Sequence, residues 1–443
     1  MMAAVQPGGG DKAPTRYYDQ LCGIKCHELN EDRLIWLERN DPDIDGLRIY
    51  GDYWSPRAGK AIGRSRYLRK LFISVGCPVK ESRHTFIHEL FQGLACNRSI
   101  EMLEVIIVDR EQGTSLDTID LLAPFLKHNS NLRSFDTGGL QLRHRMNSLS
   151  SLFENRTSNI EHLGLMDSLL KDDDVTILCE VLVKTNMVRS LNLNELRAPS
   201  VCTLLSTLSH PECQLEKLGL WACSCNDDDD AFLNVGQTFA VNNSLLHLDL
   251  SWSSLSTQAW IALFILVRET FVGLEVLRLV ECILLDEEIS ELIATLANNK
   301  RLRQVQGWMC CGKTIWNYCS RILCNKTCID STFSSNHTLH EFDIDTYDPS
   351  EYDDEDDDSV VDDALKDDVM WLLKMNENEN KAQVSQMKII QAHFSRPNVD
   401  VGVLTRMPEP VLPFAFEWIG RTRVGLSLMY LVVKELPTLF DKE

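Results

Sequence analysis

No stretch of the chain is apolar for long enough to cross a bilayer. The densest apolar run, residues 426–433, is short and is flanked by Arg421, Arg423, Lys434 and Glu435, whereas a spanning helix needs about 20 apolar residues. Residues 1–15 contain no apolar core of the length that a secretory signal requires. Positive charge is scarce as well: 44 Lys and Arg stand against 65 Asp and Glu, a formal net charge of −21. That balance argues against nucleic acid and membrane partners, because phosphate backbones and anionic lipid attract positive surface. A soluble, cytoplasmic chain is expected.

Two common catalytic motifs are missing too. The sequence has no nucleophile elbow and no H-E-x-x-H. Neither an enzyme nor a cofactor is expected. The 15 cysteines could suggest a disulfide framework, but a long chain without a secretory signal is expected to keep them reduced. In the insert 311–335, Cys319, Cys324 and Cys328 follow C-x4-C and C-x3-C spacings, unlike the paired C-x2-C of structural zinc. An ordinary loop without metal is expected there.

What the chain does have is repetition. Leu245, Leu248, Leu250, Ser253 and Leu255 recur 29 residues later as Leu274, Leu277, Leu279, Cys282 and Leu284. Both read L-x-x-L-x-L-x-x-[SC]-x-L. Leucines at positions 1, 4 and 6 point into a core that one repeat cannot close, so neighbours must stack to bury them. Further strand starts are Ile44, Leu68, Ile100, Leu132, Ile160, Val188, Leu215, Leu302 and Leu339, mostly about 28 residues apart. That length leaves room for a helix between strands. Ile289, Leu292, Ile293 and Leu296 fall on one helix face, as do Val201, Leu204, Leu205 and Leu208, and Trp260, Leu263, Phe264 and Val267. The acid clusters 172–174, 227–230 and 286–288 are expected at helix starts, where negative charge is favourable. Asn97, Asn129, Asn242, Asn299 and Asn336 each stand three residues before a strand start, which suits a left-handed residue closing the preceding helix. Cys223, Cys282 and Cys310 stand at position 9, where a small buried side chain fits the turn.

With these features the chain resembles the ribonuclease-inhibitor-like subfamily of leucine-rich-repeat proteins over residues 40–346. The resemblance implies an α/β solenoid, a horseshoe with a concave parallel β-sheet and convex helices. Residues 1–39 are expected to form a mobile leader and an N-terminal cap, with a short helix at 32–38. Residues 347–368 are expected to be a disordered acidic linker: from 343 to 368 there are 14 Asp or Glu against Lys366 alone. A C-terminal helical segment is expected at 369–443, with helical patterns at 369–394 and 414–440.

Alternation along the strands puts positions 3, 5 and 7 on the concave side. Trp221 and Trp308 share the position-7 row and Trp252 stands at position 8 between them. Beside Asp249, Arg278 and His247 they form the candidate partner-binding patch, since Trp and Arg anchor interfaces. The competing expectation is that Trp252 turns inward and the other indoles pack on neighbouring strands. A non-enzymatic scaffold or adaptor that binds a protein through this face is the first reading. The second follows from a resemblance to Ran GTPase-activating proteins, which share the repeat length and an acidic segment after the array. It would give a regulator of a small GTPase, with Arg197 the nearest match to that family's arginine.

Overall fold

Leucine-type burial sets the frame. All eleven expected strand starts are buried, and so is the residue three places on in every repeat, from Leu47 to Phe342. The computed structural model describes residues 26–50, 55–76, 81–108, 118–139, 159–224, 244–271, 273–310, 314–346 and 363–394, with isolated positions elsewhere. Within them, twelve parallel strands follow one another in the order of the sequence. Among the described residues no helix is long and apolar enough to cross a membrane.

The first compact unit comprises residues 1–196 and 210–215. It holds β1 (Cys26–Glu28), α1 (Glu31–Glu38), β2 (Gly46–Tyr50), α2 (Pro56–Arg64), β3 (Lys70–Gly76), α3 (Glu81–Cys96) and β4 (Met102–Val108). After these come α4 (Thr118–His128), β5 (Ser134–Gly138), β6 (His162–Met166), α5 (Asp172–Thr185) and β7 (Ser190–Asn194). Third positions of successive repeats lie opposite one another, Lys70, Met102, Ser134, His162 and Ser190, as the repeat alignment requires. The expected cap helix is present as α1, with the Asn30 side chain accepting from the Arg33 N–H at 2.9 Å. A strand precedes it, however: β1 pairs with β2. Three residues are too few to show an alternating pattern, so the sequence did not reveal it.

The second unit comprises residues 197–209 and 216–443. It holds α6 (Ala198–Leu208), β8 (Lys217–Trp221), β9 (His247–Asp249), α7 (Thr257–Glu269), β10 (Val276–Leu284), α8 (Asp286–Asn298) and β11 (Gln304–Cys310). Next are α9 (Thr314–Leu323), α10 (Ile329–Phe333), β12 (Glu341–Thr346), α11 (Asp363–Asn376) and α12 (Lys381–Phe394). Here the third positions Lys217, His247, Val276, Gln304 and Glu341 are aligned. The expected helix faces are buried in α6 and α7, and Ile289, Leu292 and Leu296 are buried in α8. The insert expected as a loop contains α9 and α10 instead, with Cys319 and Cys324 buried and Cys328 exposed. Trp316, Cys319, Ile322 and Leu323 are buried along α9, a helical spacing interrupted by too many polar residues to stand out.

Helix α11 starts at Asp363, inside the stretch expected to be a linker. Asp363 opens the helix directly after the acidic run, which disguises the start as more of that run. Residues 1–25 and 347–362, most of the expected last helix, Asn242 and the acid cluster 227–230 lie outside the described residues. The other two acid clusters cap helices. Asp174 Oδ2 accepts the Lys171 N–H at 3.1 Å, and Glu288 Oε2 accepts the Leu285 N–H at 2.6 Å.

The asparagines correct the sequence reading. Asn97, Asn129, Asn299 and Asn336 are buried, and none is among the left-handed residues. Their amides reach two ways. Asn97 Nδ2 donates to the carbonyls of Ile62 and Ser65 at 2.7 and 3.0 Å, in the preceding repeat. Its Oδ1 accepts the N–H groups of Ser99 and Ile100, which open the next strand. Satisfying four buried backbone groups is a stronger reason for Asn than tolerance of positive φ. The left-handed residue lies at the other end of the strand, at position 8: Gly139, Asp167, Glu195, Ala222, Trp252 and Glu281 have φ between 51° and 73°. The turn sends position 9 inward, where Ser168, Leu196, Cys223, Ser253 and Cys282 are buried. Ser253 Oγ donates to Leu220 O at 3.2 Å, and Cys282 Sγ to Leu250 O at 3.2 Å. These are equivalent bonds one repeat apart.

Candidate functional site

The open side of β8–β11 is polar and stitched across strands. Gly219, Asp249, Arg278 and Gln306 are aligned at position 5. Asp249 Oδ2 lies 3.9 Å from the Arg278 guanidinium, and Asp249 Oδ1 accepts the Ser251 N–H at 3.0 Å and the Ser251 hydroxyl. Arg278 Nε donates to Gln306 Oε1 at 2.7 Å, and Gln306 Nε2 donates to Glu341 Oε1. Charges and amides so tied carry little rotamer freedom and present a fixed pattern of donors and acceptors. His247, half-buried at position 3, is held below the usual imidazole range, first by burial and then by Lys217. It is therefore largely neutral at pH 7.

The three expected indoles diverge. Trp221 ends β8 half-buried, with its indole N–H buried and without a hydrogen-bond partner among the described residues. Trp252 does the opposite of turning inward: it is 61% exposed, at φ 65°, with its backbone N–H donating to Val280 O at 2.8 Å. The position-8 turn that buries Ser253 throws Trp252 outward. Trp308 leaves the expected row, because it lies opposite Cys282 and not Val280. The cause is Gly307, left-handed at φ 74°, where a Cβ would come within 2.4 Å of Val280 Cγ2. The side chain of Trp308 lies outside the described residues.

Sequence reasoning missed two exposed apolar residues at the strand end of the following repeat. Ile283 is 65% and Leu285 59% exposed at the end of β10. Ile283 stands between the inward positions 9 and 11, so an apolar residue there has no core role. That was the available signal.

A second cluster had no sequence signature. In the first unit His162 Nε2 lies 2.8 Å from Asp136 Oδ1, and its Nδ1 lies 2.8 Å from Ser190 Oγ. The arrangement resembles a hydrolytic triad, but an oxyanion needs preorganised N–H donors, and the strand N–H groups around it serve the parallel ladder of β5–β7. Ser134 Oγ also donates to Asp136 Oδ2 at 3.0 Å. The cluster ties neighbouring strands together. Arg197, the arginine of the GTPase reading, is the exposed N-cap residue of α6.

No family model matches the chain. Curated relatives do. Over 157 residues it is 30% identical to mouse NACHT, LRR and PYD domains-containing protein 14, covering 35% of this chain and 16% of that protein. Over 199 residues it is 26% identical to mouse NACHT, LRR and PYD domains-containing protein 4E, covering 44% and 18%. Together with the stacked, register-matched repeats, these likenesses decide the class. The chain is a leucine-rich-repeat protein. The leucine-rich-repeat chain spans under a fifth of the length of these relatives. Among solved structures, the leucine-rich-repeat-containing protein LegL7 from Legionella pneumophila aligns at 12% identity and a TM-score of 0.40, covering 78% of this chain and 98% of that one.

Proposed function

We propose that this leucine-rich-repeat chain is a non-enzymatic scaffold or adaptor that binds a protein through the strand face and strand-end edge of its second unit. Trp252 carries the reading. A bulky non-glycine residue at positive φ costs roughly 1–2 kcal/mol, and 61% exposure means that little burial offsets the cost. The same positive φ recurs at position 8 of neighbouring repeats, so exposure and not the backbone singles out Trp252. An exposed indole is also the side chain that most often anchors an interface. Ile283 and Leu285 extend the apolar edge, while Asp249, Arg278, Gln306 and His247 form a fixed polar border that would set specificity. Protein binding also accords with the leucine-rich repeats in the names of the relatives. The GTPase-regulating alternative has no such support: Arg197 stands at the N-cap position of α6, and its side chain makes no capping hydrogen bond.

The test is quantitative affinity capture with the full chain and its Trp252→Asn variant, which keeps a residue tolerant of positive φ. A Trp36→Ala variant serves as control, because Trp36 is exposed on α1 in the other unit. Partners that bind through this face should fall more than tenfold with Trp252→Asn and persist with Trp36→Ala. An unchanged set of captured proteins with Trp252→Asn would defeat the assignment.

A further inference from the structure

The first unit carries a groove of about 480 Å3 across the turns that follow α2 and α3, lined in part by Arg64, Arg66, Arg69, Arg98, Ser99 and Glu101. Glycine builds it. A Cβ on Gly93 of α3 would lie 1.8 Å from the carbonyl oxygen of Gly59 in α2, and one on Gly63 would lie 2.5 Å from that of Gly93. Only glycine allows the two helices to touch backbone to backbone. Their C-terminal ends are thereby set side by side, and the arginines of both turns surround one hollow.

Four guanidiniums there meet one carboxylate. Glu101 takes Arg69 at 3.3 Å, and one nitrogen of Arg98 donates to the carbonyls of Ala95 and Asn97, both at 2.8 Å. The guanidiniums of Arg64 and Arg66 have no hydrogen bond or ion pair among the described residues, and both side chains are exposed. The negative ends of two helix dipoles offset roughly one unit of charge. The groove stays positive on a chain whose net charge is −21.

The backbone narrows the ligand. Single phosphates favour nests of free N–H groups, but the turns have spent most of theirs. Arg66 N–H donates to Asn40 Oδ1 and Leu68 N–H to Ser65 Oγ. Ser99 and Ile100 donate to Asn97 Oδ1. Arg69 and Lys70 donate to Asp45 O, and Glu101 and Met102 to Arg69 O. What remains is a set of separate guanidinium forks, each matched to one carboxylate. We propose that this groove binds an acidic peptide segment of a partner protein, with Arg64 and Arg66 clamping its carboxylates.

The experiment is fluorescence anisotropy of the full chain with a fluorescein-labelled peptide of eight glutamates. It compares the wild type with Arg64→Glu/Arg66→Glu, the milder Arg64→Gln/Arg66→Gln, and Arg133→Glu as an exposed control outside the groove. Saturable binding should weaken at least tenfold in both double variants without a change in melting temperature, change less than twofold in Arg133→Glu, and weaken with added salt. Equal weakening by Arg133→Glu would reduce the effect to general charge and overturn the site. Absence of saturable binding, or insensitivity to both double variants, would do the same. Full displacement by inorganic phosphate at the concentration of peptide carboxylates would mark a simple anion site and also defeat the peptide assignment.

Discussion

Asn336 and Asn376 occupy the same place in successive repeats, and they end differently. Asn336 Nδ2 donates back to Leu296 O and Asn299 O at 2.7 and 3.0 Å, and its Oδ1 accepts the Thr338 and Leu339 N–H groups at 2.8 and 2.9 Å. Asn376 Nδ2 likewise donates back, to Asn336 O at 3.3 Å and Leu339 O at 2.6 Å. Its Oδ1 is buried with no partner among the described residues. After Asn336 the chain enters strand β12; after Asn376 it enters helix α12. The donor half of the amide docks a helix on the preceding repeat, whereas the acceptor half starts the following strand. The array keeps its docking rule one step beyond the point where it stops making strands.

The strongest way to break this comparison is to remove both amides in turn. Asn336→Leu leaves two carbonyls and the N–H groups of Thr338 and Leu339, just ahead of β12, unpaired and should cost roughly 3–5 kcal/mol. Asn376→Leu should cost about 1 kcal/mol. It frees Leu339 O but also removes an orphaned acceptor, and Asn336 O keeps the Lys388 amine as donor at 3.0 Å. Denaturant melts that ranked Asn376→Leu the more damaging would refute the division of roles.

A pH series sharpens the same junction. Lys388 of α12 is buried, and its Nζ donates to Leu323 O at 2.6 Å as well as to Asn336 O. Burial pushes its pKa down from 10.5 to about 7, with Lys381 and Lys300 adding to the shift and Cys324 opposing it. Between these values the unfolded chain holds the proton and the folded chain does not. Stability of this junction therefore rises with pH from about 7 to 10.5 and levels off below 7, with a slope of at most about 1.4 kcal/mol per pH unit. Hydrogen exchange in α12 should slow between pH 7.5 and 9 once corrected for intrinsic rates, and Lys388→Met should flatten that trend. An equal slope in the variant would remove Lys388 as the cause.

The smallest effect lies at the strand-end edge. Trp252→Gly should raise stability by up to about 1 kcal/mol, because relief of positive φ outweighs the loss of a mostly exposed side chain. A loss above 1 kcal/mol would mean that the indole packs within the chain, and the partner-anchor reading would fall with it.

Much of the frame was legible because it rests on one period. Leu248 is buried and Asp249 faces the open side, as the alternation demanded, and the same register recurs from Lys70 to Glu341. What was not legible depends on contacts between repeats. Asn97 and its equivalents looked like helix terminators, because sequence shows their place but not the carbonyls one repeat away. Trp308 looked like a row-mate of Trp221 because nothing in one repeat shows that Gly307 must yield to Val280. Ile283 and Leu285 stand beyond positions 5 and 7, past the turn at position 8, where strand alternation no longer tells which face a side chain takes. Asp136, His162 and Ser190 meet only through strand pairing, and their spacing in the chain marks them as nothing special.

The cysteine at position 9 has a further consequence. The Cys282 thiol is fully buried, and burial pushes its pKa up to about 12, so the reactive thiolate is almost absent while the repeat stays closed. Cys213, two residues before the strand start Leu215, is likewise buried and shifted upward. Alkylation of either can proceed only in the moments when its own stretch of the stack opens. The protein thus carries native clocks, and the ratio of their rates records whether these separate stretches of the array open together or one at a time.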